Sequence, residues 1–543
     1  MWDADVPSGD GRHSRRTMLA GAGAIALAIA GGTFGPGRRA RAEAVGGAPR
    51  RAARTTPPST TGAELDPNAV VRFAYWTGLT SFDPHRASSS FSNTSLNLTY
   101  DRLVHLAPDA SAAPGLATDW GFGDDGLTLD LTIRRGVSFH DGTPFDVEAV
   151  RANLERAQNL EGSVVVAELA AIEQIEVIDA EHVRLHLSEA SAELPLVLSD
   201  RAGMMISPAA FENPDLDRMP VGCGMFRVTS YVENDRITYE RADDYWDPDA
   251  VRCAGFEIQF LTDSTTRLNA IRSGEVDFTQ LDPAQVADAE SAGLSVIQDT
   301  TLAFYQMQLN RSFEPFSVLE VRQALNHAID RSAVVESLPL GFGLPAGQVF
   351  PEGYVAFDEA TGSDPYPFDP DRARQLLAGG GYPDGFTFEL LVPTLPLLTT
   401  LGEAVQAQLD VVGVTAEIRS IEVADTAPAF MGRLEGNALI TNWSGRADPT
   451  QTVKLLFGAG TFQNAGGHTT PAMTAAIAAT QATFDPDDRV VALRAASAQA
   501  VSDALTVPIC FPATSTVATA SVVGLQNWRS GKPEFRGVAV RAD

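Results

Sequence analysis

The chain has 543 residues, with 69 Asp and Glu against 40 Lys and Arg and a formal net charge of −29 at pH 7. Such a surface repels nucleic acid and anionic lipid, which excludes both as partners. The length exceeds what one hydrophobic core supports, so two or three domains are expected, and lysine is almost absent, with only Lys454 and Lys532.

Arg15-Arg16 precedes an apolar run over residues 18–32 that is too short for a lasting membrane span of about 20 residues. A basic region, a short apolar region and the small-x-small triplet Ala40-Arg41-Ala42 read as an export signal of the twin-arginine type over residues 1–42, cleaved near Ala42. Residues 43–65, rich in Ala, Pro, Thr and Arg, read as a flexible leader. No later apolar run reaches spanning length, and no cysteine follows the first one closely enough for a lipid anchor. Cys223, Cys253 and Cys510 allow one bridge plus one thiol in an oxidising compartment. Cys223 and Cys253 are nearest in sequence, and linking them would be worth roughly 3 kcal/mol in the loop-entropy model.

From Val70 onward, turns, strands and helices alternate without a repeat. Leu127, Leu129, Leu131 and Ile133 alternate with polar residues, which predicts a half-buried strand after the turn Asp125-Gly126. A helix is expected over 147–157, capped by Asp146. Residues 172–187 read as a hairpin. Ser317-Val-Leu-Glu320 has the form of a capping box opening a helix with Val321, Leu325 and Ile329 inward. Asp369-Pro370 starts another helix, which Gly379-Gly380-Gly381 ends. A helix over 401–411, a stop at Gly413 and a strand over 414–418 complete a mixed α/β pattern.

Several blocks carry a more specific signal. They are Ser81-Phe-Asp-Pro84, Leu116-Ala-Thr-Asp-Trp120, Arg134-Arg-Gly-Val-Ser-Phe-His-Asp-Gly-Thr-Pro-Phe-Asp-Val-Glu-Ala-Val150 and Pro220-Val-Gly-Cys-Gly-Met-Phe-Arg227. Further along come Tyr245-Trp246, Arg272-Ser-Gly-Glu-Val-Asp-Phe278, Val321-Arg-Gln-Ala-Leu-Asn-His-Ala-Ile-Asp330 and Phe368-Asp-Pro-Asp-Arg-Ala-Arg-Gln-Leu-Leu377. Gly381-Tyr-Pro-Asp-Gly-Phe386 and Trp443-Ser-Gly-Arg-Ala-Asp-Pro449 close the series. In this order, over roughly residues 70–540, the chain resembles the family 5 (peptide, nickel and opine type) extracellular solute-binding proteins of ABC importers.

The resemblance implies an α/β clamshell of two lobes that closes on a peptide or related small solute and delivers it to a membrane permease. By analogy, lobe I takes residues 66–300 with an extra subdomain over 101–210, lobe II takes 301–506, and 507–543 returns to lobe I. The chain would then cross near 300–304 and again near 507–511, where two strands absorb the rotation. A monomer without a cofactor is expected.

For the ligand site, the resemblance points to Trp443, Ser444, Gly445, Arg446 and Asp448. Dipeptide-binding relatives place an acidic residue where Arg446 stands, so the local charge is inverted toward a carboxylate or other oxyanion. Asp448 would take an amine, pair with Arg446, or start the following helix. The arginine that clamps a dipeptide carboxylate is replaced by the run containing Leu395, Leu397 and Leu398, which suggests a roomier, more apolar pocket and poor binding of simple dipeptides. Ser89, Ser90 and Phe91 are expected to line the opposite side, with Trp76 and Trp443 either stacking on the ligand or forming a floor.

Metal ligation is not expected: on a strand, His182 and His186 would stand about 13 Å apart. An opine-like or other anionic solute and a chelated metal are the alternatives. A secreted hydrolase is the competing class, but Gly-x-Ser-x-Gly, His-Glu-x-x-His and a Walker-type loop are all missing from the sequence.

Overall fold

The computed structural model describes residues 64–337 and 343–542. The export signal, its cleavage site and nearly all of the leader lie outside the described residues.

Three sheets organise the described chain. The first has seven strands, in the order Ser295–Thr300, Ala513–Ala518, Phe278–Leu281, Val70–Tyr75, Gly255–Phe260, Arg236–Arg241 and Phe226–Val232. Val70–Tyr75 runs parallel to both of its neighbours, with Phe73 paired to Ile258 and to Phe278. Such a central strand is buried on both faces, and its run of apolar residues meets that demand. Phe73 stacks on Phe278 at 4.5 Å, and Phe256 stacks on Phe535 at 4.7 Å. Each aromatic side chain buried in this way contributes about 1.5–3 kcal/mol.

The second sheet has six strands, in the order Leu344–Pro345, Val507–Phe511, Phe304–Leu309, Ala438–Trp443, Phe386–Pro393 and Val414–Ile421. Helices Leu319–His327, Pro370–Gly379 and Pro396–Val411 share a core with it, built on Leu325, Leu377, Leu401, Leu390 and Ile440. The chain thus passes from the first sheet to the second through residues 301–303 and returns through Pro512. The return was expected at 507, but Val507–Phe511 pairs with Phe304–Leu309 and stays in the six-stranded sheet.

The third sheet is antiparallel, in the order Ala117–Phe122, Thr128–Ile133, His182–Leu187 and Ile172–Val177. Leu129, Leu131, Val183 and Leu185 point into a separate core against Val150 and Leu154 of helix Val147–Asn159. Asp146 caps that helix by accepting from the Ala149 N–H at 3.0 Å. Asp369 does the same for Arg372 at 2.8 Å.

Two local expectations are corrected. The capping box at Ser317 does not form, because Pro315 starts a short helix, Glu314–Ser317, one turn earlier. Ser317 Oγ donates to the Glu314 carbonyl at 2.7 Å, and Val318 stands at the cap of Leu319–His327. The three cysteines are all free and buried. Cys253, Cys223 and Cys510 belong to three different hydrophobic clusters, so proximity in sequence does not bring the first two together.

Candidate functional site

Strand Ala438–Trp443 ends beside the passage between the sheets, with Trp443 paired to Phe304. Trp443 is buried, and its Nε1–H donates to Thr452 Oγ1 at 3.1 Å. It packs in a cluster with Leu106, Leu302, Phe304, Phe457 and Phe511 that surrounds both passages. Trp443 is therefore part of the packing around the passages. Beyond half-buried Ser444, the chain turns back through Gly445, whose φ of +69° belongs to the region glycine tolerates.

This turn sets the guanidinium of Arg446 over the Trp443 ring, 5.2 Å from its centroid. Among the described residues Arg446 has no ion pair, and its Nε is buried without a hydrogen-bond partner. A cation held in this way against an aromatic face remains free to donate to an incoming oxyanion.

Of the three readings of Asp448, the start of the following helix is the one observed. It is fully buried, accepts from the Thr450 N–H at 2.8 Å, and receives Arg489 Nη2 on both carboxylate oxygens at 2.9 Å. Its carboxylate caps helix Pro449–Phe457 and is already paired, so it serves neither a ligand amine nor Arg446.

Gly445, Arg446 and Ala447 form one wall of a small polar cavity. The facing wall comes from distant segments. Asn93 and Asn97 lie one turn apart on helix Asn93–Thr99, while Asp200, Lys532 and Glu534 come from loops. Asn93 Nδ2 donates to Asp200 Oδ1 at 2.7 Å, and Lys532 Nζ reaches Asp200 Oδ2 at 2.5 Å. Burial by itself would raise the Asp200 carboxyl pKa, but Lys532 and Arg201 outweigh it and hold the group below the ordinary carboxylate range. Arg102 grips Glu534 through two bonds of 2.8 and 2.7 Å. Burial, followed by repulsion from Asp200, raises the carboxyl pKa of nearby Glu168.

Ser89, Phe91 and Trp76 do not line this cavity. Ser89 Oγ accepts from the Phe91 N–H at 3.3 Å, a local turn, and Phe91 meets Trp76 edge to face at 4.7 Å. The Ser90 side chain lies outside the described residues. Leu398 is buried in the core of the second sheet, Leu397 packs against that core and Leu395 is 44% exposed, so the expected apolar pocket gives way to a polar one.

His182 is paired with Asp179 and His186 with Glu176. Among the described residues, no group of three or more His, Cys, Asp and Glu is placed to hold a metal.

The missed residues are Asn93, Asn97, Arg102, Asp200, Lys532 and Glu534. One signal was present: Lys532 is one of only two lysines in the chain. Lys454, the other, reaches Glu189 and Glu193 at 3.6 and 3.7 Å.

The family model for bacterial extracellular solute-binding proteins, family 5, matches residues 111–464, more than half of the chain. The chain is a family 5 solute-binding protein. As such it is a solute-binding component of an ABC importer. It is 30% identical over 391 residues to the glutathione-binding protein GsiB of Salmonella paratyphi A, covering 70% of this chain and 76% of that one. GsiB of Escherichia coli (strain K12) is 28% identical, with the same coverage. These relatives are named as binding proteins.

Two solved structures share the fold of this family 5 protein. AgaA from A. tumefaciens R10, in complex with agropinic acid, has a TM-score of 0.74 at 24% identity, covering 88% of this chain and 99% of that one. The ABC transporter-associated periplasmic binding protein DppA from Helicobacter pylori, in complex with peptide STSA, has a TM-score of 0.73 at 22% identity, covering 88% and 98%. The α/β, two-lobed architecture follows from these likenesses and the sheets described above. Among the described residues, no helix is long and apolar enough to cross a membrane.

Proposed function

We propose that this protein is exported through the signal over residues 1–42 and captures, as a monomer, one small peptide or related anionic solute by closing two lobes around it. Residues 301–303 and Pro512 serve as the two crossings about which the lobes turn. Arg446 receives a carboxylate of the solute. Open and closed forms exchange, and a ligand touching both walls stabilises the closed one. The closed form docks on a membrane permease, which takes the solute unchanged.

The observation that carries this reading is the Arg446 guanidinium, unpaired among the described residues and lining a cavity whose other wall is built from distant segments of the chain. GsiB is named for binding glutathione, AgaA holds agropinic acid and DppA holds peptide STSA, which agrees with a peptide or carboxylate-bearing solute.

The test is titration calorimetry of the exported chain with glutathione and with short peptides, combined with X-ray scattering. A saturable isotherm with one site per chain and a smaller radius of gyration on binding are expected. Unchanged scattering with every saturating solute would refute closure, and conversion of the solute would refute a purely binding role.

A further inference from the structure

The two walls of the cavity offer opposite chemistry. Asn93 and Asn97 are both more than nine-tenths buried, and the Oδ1 atoms of both lack a hydrogen-bond partner among the described residues. For Asn93 the amide orientation is set by its Nδ2 bond to Asp200, so its free atom is the oxygen. Buried polar atoms without partners are rare, and two of them one helical turn apart on a single cavity call for donors from a bound molecule. Across the cavity, the buried Nε of Arg446 calls for an acceptor.

Charge narrows the choice further. The lining holds three cations, Arg102, Arg446 and Lys532, and two carboxylates, Asp200 and Glu534. Both carboxylates are consumed by Arg102 and Lys532. One positive charge is left over, inside a protein whose overall charge is −29. Glu168 lies outside the lining; burial and then Asp200 raise its carboxyl pKa, against the pull of Arg201, Arg446 and Lys532. A free ammonium would find no unpaired carboxylate in this cavity, only neutral amide oxygens.

We infer that the cavity selects solutes with net charge −1, placing a carboxylate on Arg446 and uncharged amide N–H groups on Asn93 and Asn97. This rests on reading the cavity as the ligand site. Asn93 and Asn97 are then specificity-determining residues for uncharged donors, and zwitterionic dipeptides are poor ligands because they leave the cavity charge unbalanced.

The test uses four versions of one mixed-sequence dipeptide library: the free zwitterions, the N-acetylated acids, the C-terminal amides, and the doubly blocked N-acetyl amides. Thermal-shift titration of the exported chain reads the half-saturating concentration of each. The N-acetylated acids should saturate at least tenfold below the zwitterions, and both amide libraries should bind least. Asn97→Asp, which places a carboxylate on the wall with little change of shape, should move the ratio at least tenfold toward the free amines. Zwitterions binding as well as or better than the acetylated acids would overturn the inference; if Arg446→Ala abolished that binding, the cavity would still be the ligand site. An unchanged ratio in Asn97→Asp would also overturn it. If glutathione saturated the chain with no response to Arg446→Ala, the reading of this cavity as the ligand site would fall as well.

Discussion

A side-chain carbon placed on Gly445 would lie 2.8 Å from the backbone carbonyl carbon of Leu302. The glycine of the cavity wall is thus pressed against the passage between the two sheets, with no room for any other residue. Gly445→Ala should cost about 1–3 kcal/mol, combining the left-handed backbone with the clash. A melting temperature lowered by several degrees is expected. An unchanged melting curve would show that the passage yields easily.

Arg446→Ala removes a guanidinium that has no ion pair and no hydrogen bond at Nε among the described residues. The unliganded protein should therefore melt within about a degree of the parent. Its anionic ligand should bind more weakly by about 1.5–3 kcal/mol, the value of a hydrogen bond to a charged group. Calorimetry showing the same affinity would remove Arg446 from the site.

Asp448→Ala should behave in the opposite way. It leaves the Arg489 guanidinium, only 15% exposed, without its buried carboxylate, and removes a helix cap. Breaking such a pair costs about 3–5 kcal/mol. Urea denaturation should show the loss, while ligand affinity measured below the transition should stay close to that of the parent. A selective loss of affinity would return Asp448 to the cavity.

Acid should destabilise the fold through two histidines. Burial lowers the pKa of both His85 and His140 to about 4. Between pH 6.5 and 4 the unfolded chain therefore binds protons that the native state refuses, so stability falls as pH falls through this window. The slope is up to about 1.4 kcal/mol per pH unit for each histidine. Glu168 and Glu193, whose carboxyl pKa values burial raises, act in the opposite sense at the acid end. Urea midpoints measured against pH should flatten in His140→Gln. A slope equal to that of the parent would contradict the assignment.

The Phe484 ring lies 4.5 Å from Phe122 on the edge of the third sheet, and the Ala192 N–H donates to the Gln481 carbonyl at 2.9 Å nearby. These contacts join the segment after helix Pro471–Ala482 to the four-stranded sheet region, far from Arg446 in sequence. Under the closure proposed above, Phe484→Ala should weaken all ligands alike by about 0.5–1.5 kcal/mol, the value of an aromatic pair. Loss of affinity for one ligand and not another would place Phe484 in the binding site itself.

Short-range patterns made much of the fold legible. The alternation of Leu129, Leu131 and Ile133 and the caps at Asp146 and Asp369 depend on neighbours within a few residues, and they appear where the pattern places them. The Ser317 box had the same form but lost to Pro315, whose position starts a competing turn. Of the residues expected at the ligand, Gly445 and Arg446 line this cavity, while Trp443, Ser444 and Asp448 do not. Asp448 could not be assigned from its neighbours because its partner, Arg489, is 41 residues away. Asn93 and Lys532 could not be paired through Asp200, since polar residues in loops carry no periodic signal.

By itself, then, the sequence determined the family, the local elements and the presence of an arginine three residues after Trp443. The tertiary structure alone decided which charges are free. Asp448, Asp200 and Glu534 are neutralised by partners from remote segments, and among the described residues Arg446 is not. A charge near a cavity acts on a ligand only if no protein group has already claimed it, and that depends on long-range packing that no local pattern encodes.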